Sequence, residues 1–488
     1  MKISNIRLGH SNNSSSTHSI IIIPNKSVRN ALKDELEEVK YDVYDHFIIK
    51  SPREKIRYLA SQLYQNIYNH TRDEYLSLEV ISSLFNLGEL DIRSVDDLFN
   101  LPTYKGGLPH LEFIKELTDY ICDHDEYFII GERDGNLSKK YDVDKYIYEF
   151  KQQDPKGINR IIADNIFRLI ARKCGDWWTL INRGTGTKIK FTFNDNAEEH
   201  IKSEKPELVD LKITDYCGKG CNYCYQDSTV KGKHADIQKI IDIILNLNNN
   251  GNVLEIALGG GEPFSHPNFW DIAKYISSLD INLGVSTRDI SWAFELKKLF
   301  ETDKHEFYNR VNSLTSVAFS IDNKEDIQIS YYPLSDVLNK RMPFYFNNMI
   351  YFQYVLGSNS IEDFEEIIKE IKNINNDPLD RNDCKAVLTL LGWKHTGRGT
   401  KGPKYNNDDW VDLIQKYRPS HVGIDTCVSK YYEEEIRDKI PNVNLLMYTE
   451  EGKHSMYIDA VEDLMGPSSY HKLDTFNEET WLDTYARY

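Results

Sequence analysis

Three of the chain's seven cysteines fall within eight residues: Cys217, Cys221 and Cys224, in the stretch LKITDYCGKGCNYCYQDST from Leu211 to Thr229. Thiolates bind zinc or the irons of an iron–sulfur cluster. A structural zinc site is closed by four ligands, so a zinc reading needs a further donor from Cys384, Cys427 or a histidine. A cubane iron–sulfur cluster is different. Three thiolates take three of its irons and leave one iron open to a small molecule, which is what a catalyst needs. Gly218 and Gly220 let the backbone turn tightly round a metal group. Tyr223, next to the last cysteine, can offer a flat face to a bound ring. On spacing alone, a zinc knuckle or a cluster of packing cysteines stays open.

The elements around the loop suit a site. A strand, ELVDLKIT from Glu207, leads into the cysteines. A helix follows from about His234, and then NVLEIALGGGEP, a buried strand ending in Gly259, Gly260 and Gly261 before Glu262 and Pro263. The alternation continues through the helix at Asn268–Leu279, the strand INLGVST, the helix SWAFELKKLF and the strand SVAFSID. After a less regular stretch come the strand MIYFQYVLG, a helix capped at Ser360 and the strand KAVLTLLGW. Six strands alternating with helices are the signature of βαβ units and a parallel sheet. In parallel (β/α) barrels the active site is built at the C-terminal ends of the strands, where the cysteines and glycines both stand.

The remaining sequence frames this core. Residues 1–200 read as a mixed α and β module with a polar Ser/Asn/Thr tract at Gly9–Ser19. Ser51, Pro52 and Glu54 announce a capped helix, Cys122 sits on the apolar face of another, and WWTLINRGTGTKIKFTF from Trp177 reads as a β-hairpin. With 40% hydrophobic and 28% charged residues in 488, the chain is long enough for two or three packed domains. Its formal net charge of −17 argues against non-specific binding to nucleic acid. An odd, sparse cysteine count suits a reducing cytoplasm. Met1–Leu8 is mixed and polar, and Ile20–Ile23 is too short for a signal-peptide core. No stretch approaches membrane-spanning length. The expectation is a cytoplasmic protein.

The cysteine loop resembles the signature of the radical S-adenosylmethionine (radical SAM) enzymes, Cys-x3-Cys-x-aromatic-Cys after the first barrel strand. It matches at Cys217, Cys221, Tyr223 and Cys224. Gly259, Gly260, Gly261, Glu262 and Pro263 resemble the family segment whose backbone binds the amino group of the methionine moiety. Later strand ends resemble positions that touch the methionine carboxylate, ribose or adenine: Ser286 and Thr287, Ser320 and Asp322, Gln353 and Val355.

The resemblance implies an α/β fold: a partial (β/α)6 barrel over residues 206–398, a mixed α+β N-terminal module over 1–200, and a small α+β C-terminal extension over 399–488. It implies a [4Fe-4S] cluster on Cys217, Cys221 and Cys224, with S-adenosylmethionine chelated at the open iron and cleaved after one-electron reduction. The 5′-deoxyadenosyl radical then takes a hydrogen atom from the substrate. The expected partners are an electron donor such as a flavodoxin or ferredoxin, and a peptide or protein substrate ahead of a small metabolite. The tail resembles the SPASM/Twitch extension that carries auxiliary clusters, with its ligands lost. Cys427 remains in GIDTCVS, but Thr449 and Ser468 stand where that pattern has cysteines. A degenerate extension without an auxiliary cluster, its strands covering the barrel mouth, is therefore expected. The Gly-Arg-Gly at Gly397–Gly399 also has family counterparts, and Arg398 could bind a carboxylate or phosphate. The competing reading is a non-catalytic iron–sulfur or zinc protein with a vestigial SAM site. The Gly-Gly-Gly-Glu-Pro segment weighs against it, because a structural metal site has no need of that segment.

Overall fold

A computed structural model describes residues 202–488 except 252, 280, 339–348, 377–384, 404–407, 420, 426, 427, 429–431, 433–438, 440–451, 471 and 472; before them it describes 2–7, 47–49, 60, 64, 67, 68, 74–85, 129–131, 169–174, 177–182 and 186–192. The polar tract, the Ser51 cap, Cys122, Cys384, Cys427 and Thr449 lie outside the described residues. Contacts divide the chain into two units, one of Met1–Leu8 and Asn25–Glu199 and one of Gly9–Pro24 and His200–Tyr488.

In the first unit, β1 (Lys2–Arg7), β4 (Leu169–Cys174), β5 (Trp177–Asn182) and β6 (Lys188–Thr192) form an antiparallel sheet in the order β1-β6-β5-β4. The expected hairpin is β5–β6, with Trp178 opposite Phe191. A two-stranded pair, β2 (Phe47–Ile49) and β3 (Ile129–Gly131), and a helix, α1 (Glu74–Phe85), complete its described elements.

Among the described residues, the second unit is built on one ten-stranded sheet. Its core strands are β7 (Leu208–Thr214), β8 (Glu255–Gly260), β9 (Asn282–Thr287), β10 (Ser316–Ser320), β11 (Met349–Val355) and β12 (Lys385–Leu391). Each pairs in parallel with the next, in chain order. The helices between them are α2 (Ile237–Asn246), α3 (Phe269–Ser278), α4 (Ser291–Thr302), α5 (Lys304–Asn312), α6 (Lys324–Leu338) and α7 (Ile361–Asn376). This is the α/β arrangement of a partial (β/α) barrel.

The pleat explains how the sheet is used. Val209, Leu211 and Ile213 of β7 join the apolar core, so Asp210, Lys212 and Thr214 point to the other face. Helix amphipathicity closes the apolar side. Ile240, Ile243 and Ile244 of α2 and Phe364, Ile367, Ile368 and Ile371 of α7 are buried at helical spacing. Asp236 caps α2 by accepting from the backbone N–H groups of Gln238 and Lys239, a contribution of about 1 kcal/mol.

The less regular stretch after β10 contains α6, fifteen residues long with Pro333 inside it. Proline argues against a helix because it removes one backbone bond. Burial of Ile327, Tyr331 and Leu334 on one face offsets that loss.

The tail extends the sheet at both edges. After α8 (Asp408–Tyr417), β13 (Val422–Ile424) pairs in parallel with β12. At the opposite edge β14 (Ser455–Asp459) pairs in parallel with β7, followed by antiparallel β15 (Leu464–Gly466) and β16 (Asp474–Thr475) and the final helix α9 (Trp481–Arg487). The described tail strands therefore lie beside the barrel strands, where the sequence had suggested a cover over the mouth. No helix among the described residues is long and apolar enough to cross a membrane.

Candidate active site

The cysteine loop leaves β7 at Thr214 and is pinned at its base. Asp215 N–H donates to the Lys233 carbonyl at 2.8 Å, and Cys217 N–H donates to that of Thr229 at 2.9 Å. Below it, Lys212 holds Asp459 of β14 at 2.8 Å and also pairs with Asp215. Burial works against the Lys212 charge, but the two carboxylates outweigh it and raise its pKa. Gly220 sits at φ 67°, a region glycine enters without steric cost. The three thiols are free and half-buried.

The glycine segment packs directly against this loop. Gly261 N–H donates to the Thr214 carbonyl at 2.7 Å and Glu262 N–H to that of Tyr216 at 2.8 Å. A Cβ on Gly261 would lie 2.1 Å from the Tyr216 carbonyl oxygen, so a side chain there must displace backbone. A Cβ on Gly259 would meet nothing within 4 Å. Gly259 thus opens onto space, while Gly261 sets the distance between the two segments. Pro263 begins a short turn whose Phe264 stacks on Trp292, with centroids 5.1 Å apart.

Glu262 is buried and ties β8 to β9. It accepts from the Thr287 hydroxyl at 2.7 Å and from Arg288 N–H at 3.0 Å. Burial raises its carboxyl pKa, and these two donors partly oppose the rise.

Between the loop and the strand ends lies a cavity of about 1070 Å³ counted with its open mouth. Cys217, Cys221, Tyr223 and Cys224 line one side. Gly259, Gly260, Ser286, Ser320, Gln353 and Val355, at the ends of β8 to β11, line the other. Register brings them together: Gly260 pairs with Thr214, and Ser320 with Gln353. Gly261, Glu262, Pro263 and Asp322 are not among the lining residues, but Glu262 and Asp322 both bond to Arg288, which is.

Arg288, just after β9, also lines the cavity and was not singled out from the sequence. It donates to the Tyr223 hydroxyl and pairs with Asp322, and its guanidinium lies 5.6 Å from the centre of the Tyr223 ring. Burial opposes its charge, but Tyr223, Asp322 and Cys221 outweigh that and raise its pKa. Burial pushes the Tyr223 hydroxyl up, with Arg288 opposing and Asp322 adding to the rise. Burial also pushes the Cys221 thiol up, and Arg288 again pulls the other way. Arg288 thus opposes, without overcoming, the burial that raises the Cys221 thiol. Arginine next to a Ser-Thr strand end carries no signal of its own in one sequence. Lys394 and Asp425 line the cavity as well. Lys394 lies 4.2 Å from the Tyr225 ring centre and 4.8 Å from that of Tyr470.

Among the described residues no group of three His, Cys, Asp or Glu side chains is set to hold a single metal ion. The three thiols instead face one shared cavity. That donor set fits a polynuclear cluster, where each thiolate meets its own iron. The open space at Gly259 gives a small ligand close access to backbone.

Residues 211–321, the segment holding both motifs, match the Radical SAM superfamily, so this segment is a radical SAM domain. Enzymes of this superfamily bind a [4Fe-4S] cluster and S-adenosylmethionine. Among solved structures the chain is similar to SuiB of Streptococcus suis bound to the precursor peptide SuiA. The identity is 14% over 64% of this chain and 87% of that one, with a TM-score of 0.44. It is also similar to HydG, the FeFe-hydrogenase maturase from Carboxydothermus hydrogenoformans. There the identity is 11% over 57% of this chain and 63% of that one, with a TM-score of 0.35. No curated protein matches the chain.

Proposed function

We propose that Cys217, Cys221 and Cys224 hold a [4Fe-4S] cluster whose open iron takes S-adenosylmethionine, and that the enzyme abstracts a hydrogen atom from a peptide or protein substrate. The observation that carries this reading is the single cavity lined by the three thiols on one side and the glycine strand end on the other. When bound and reduced, the cluster would supply the electron for reductive cleavage of S-adenosylmethionine, the chemistry that generates a hydrogen-abstracting radical.

The chain's own residues bind, orient and shield. Carbonyls at the Gly259–Gly261 strand end accept from the methionine ammonium, and Gly259 allows the approach. Arg288 supplies a fixed cation for the methionine carboxylate. Ser286, Ser320, Gln353 and Val355 contact the nucleoside. Tyr223, held by Asp322, keeps one wall of the cavity in place. Lys394 and Tyr225 line the same cavity and offer it a cation and an aromatic face, which suits amide and side-chain groups. The resemblance of the tail to extensions found on peptide-modifying relatives supports the same substrate class. A flavodoxin or ferredoxin is the proposed electron donor, in the cytoplasm.

Anaerobic reconstitution with iron and sulfide tests the site. A brown protein whose visible absorbance changes when S-adenosylmethionine is added is the expected result. A colourless zinc-loaded protein would contradict it.

A further inference from the structure

The Gly-Arg-Gly turn after β12 lies against the cysteine loop. Arg398 N–H donates to the Cys224 carbonyl at 2.9 Å. Its side chain donates from Nε to the Cys221 carbonyl at 2.9 Å, from one terminal nitrogen to the Asp227 carboxylate at 2.7 Å, and from the other to the Ser228 carbonyl at 3.0 Å. The Thr396 hydroxyl reaches the Tyr225 carbonyl at 3.3 Å. Gly397 has φ 55°, and a Cβ there would stand 2.6 Å from the carbonyl oxygens of both Cys224 and Tyr225. The turn therefore has no room for a side chain before the arginine. Arg398 engages the backbone at two of the three cysteines and at the end of the loop.

We propose that Arg398 is the positioning residue of the cluster loop, and that its charge raises the reduction potential of the cluster held there. The inference rests on the reading that Cys217, Cys221 and Cys224 hold a cluster. Three thiolates and a reduced cluster concentrate negative charge at one site of an already acidic chain. A guanidinium is charged at every working pH, and its planar fork fits several acceptors at fixed angles. Half-buried beside the loop, it is screened less than a surface lysine would be. Partners behind the ligands are known levers on potential and ligand orientation. Asp227 completes the geometry from the exposed side. It sits at φ 54°, a conformation asparagine also tolerates.

The test uses the full chain, reconstituted with iron and sulfide, in four forms: wild type, Arg398→Gln, Arg398→Lys and Asp227→Asn. The readouts are iron per chain, iron lost to a chelator, and the midpoint potential from redox titration followed by electron paramagnetic resonance. Arg398→Gln is expected to lower the ratio of reduced to oxidised cluster at a fixed potential about tenfold, which is 59 mV for a one-electron couple. Asp227→Asn removes a negative charge while leaving the carbonyl bonds, so it shifts the ratio the opposite way. Arg398→Lys stays near the wild-type potential but loses iron to the chelator faster, because one ammonium cannot span three acceptors. Unshifted potentials in both Arg398→Gln and Asp227→Asn overturn the inference while leaving the cluster reading intact. If Arg398→Gln takes up no iron, Asp227→Asn decides alone: an upward shift supports the inference, and no shift or a downward one overturns it. A wild type that takes up no iron overturns the cluster reading and this inference together.

Discussion

The hydroxyl of Tyr223 donates to the carboxylate of Asp322 at 2.7 Å, joining the cysteine loop to the end of β10 across 99 residues of sequence. Arg288 engages both partners, so the loop, β9 and β10 meet at one charged junction beside the thiols. The aromatic residue of the cysteine motif is thus fixed in place before any ligand arrives. Tyr223→Phe removes the hydroxyl and leaves Asp322 with Arg288. Cluster binding is expected to persist, and S-adenosylmethionine affinity to fall several-fold, as read by equilibrium dialysis of the reconstituted protein.

Arg288→Gln removes the basic side chain that pairs with Asp322 at this junction. Affinity for S-adenosylmethionine is expected to fall more than tenfold, which corresponds to about 1.4 kcal/mol. S-adenosyl-derived ligands lacking the carboxylate should lose much less. Equal losses for both ligands would show that Arg288 acts on the fold and makes no contact with the carboxylate.

Two glycine substitutions in the same segment should separate. Gly261→Ala forces a Cβ to 2.1 Å from the Tyr216 carbonyl oxygen and should lower the melting temperature of the cluster-free protein. Gly259→Ala meets nothing within 4 Å. It should melt like the wild type yet weaken S-adenosylmethionine, because its methyl projects into the proposed ligand space.

Lys212 joins β7 to β14 and to the base of the cysteine loop. Its pKa is raised from 10.5 in the folded chain. Its contribution to stability is therefore complete below about pH 10, the unfolded lysine range, and is lost as pH rises through the folded value. Melting temperatures of the wild type should fall across this alkaline window, and those of Lys212→Met should fall less. At neutral pH the variant should be destabilised by about 3–5 kcal/mol, the cost of leaving the buried Asp459 carboxylate uncompensated.

The features legible in the sequence were those carried by local pattern. Three cysteines and a glycine-ended strand read directly as chemistry, and period-2 and period-3.6 burial located β7 to β12 and most of their helices. Pro333 hid α6, because its propensity points away from a helix that tertiary burial of Ile327, Tyr331 and Leu334 sustains. The pairing of β14 with β7, sealed by Lys212 and Asp459 at a separation of 247 residues, has no local signature. The same holds for Arg398, 177 residues from the Cys221 carbonyl it binds. From the sequence it could only be described as a cation able to bind a carboxylate or phosphate. The fold gives it the Asp227 carboxylate and, in addition, three backbone carbonyls of the cysteine loop.

The central claim is that the cysteine loop and the glycine strand end together cleave S-adenosylmethionine reductively. The direct measurement is anaerobic incubation of the reconstituted chain with S-adenosylmethionine and dithionite, with the products separated by chromatography and mass spectrometry. The account predicts methionine and 5′-deoxyadenosine from the wild type, and neither from Cys217→Ala, Cys221→Ala or Cys224→Ala. Intact S-adenosylmethionine after incubation with a fully iron-loaded, reduced wild type would contradict it.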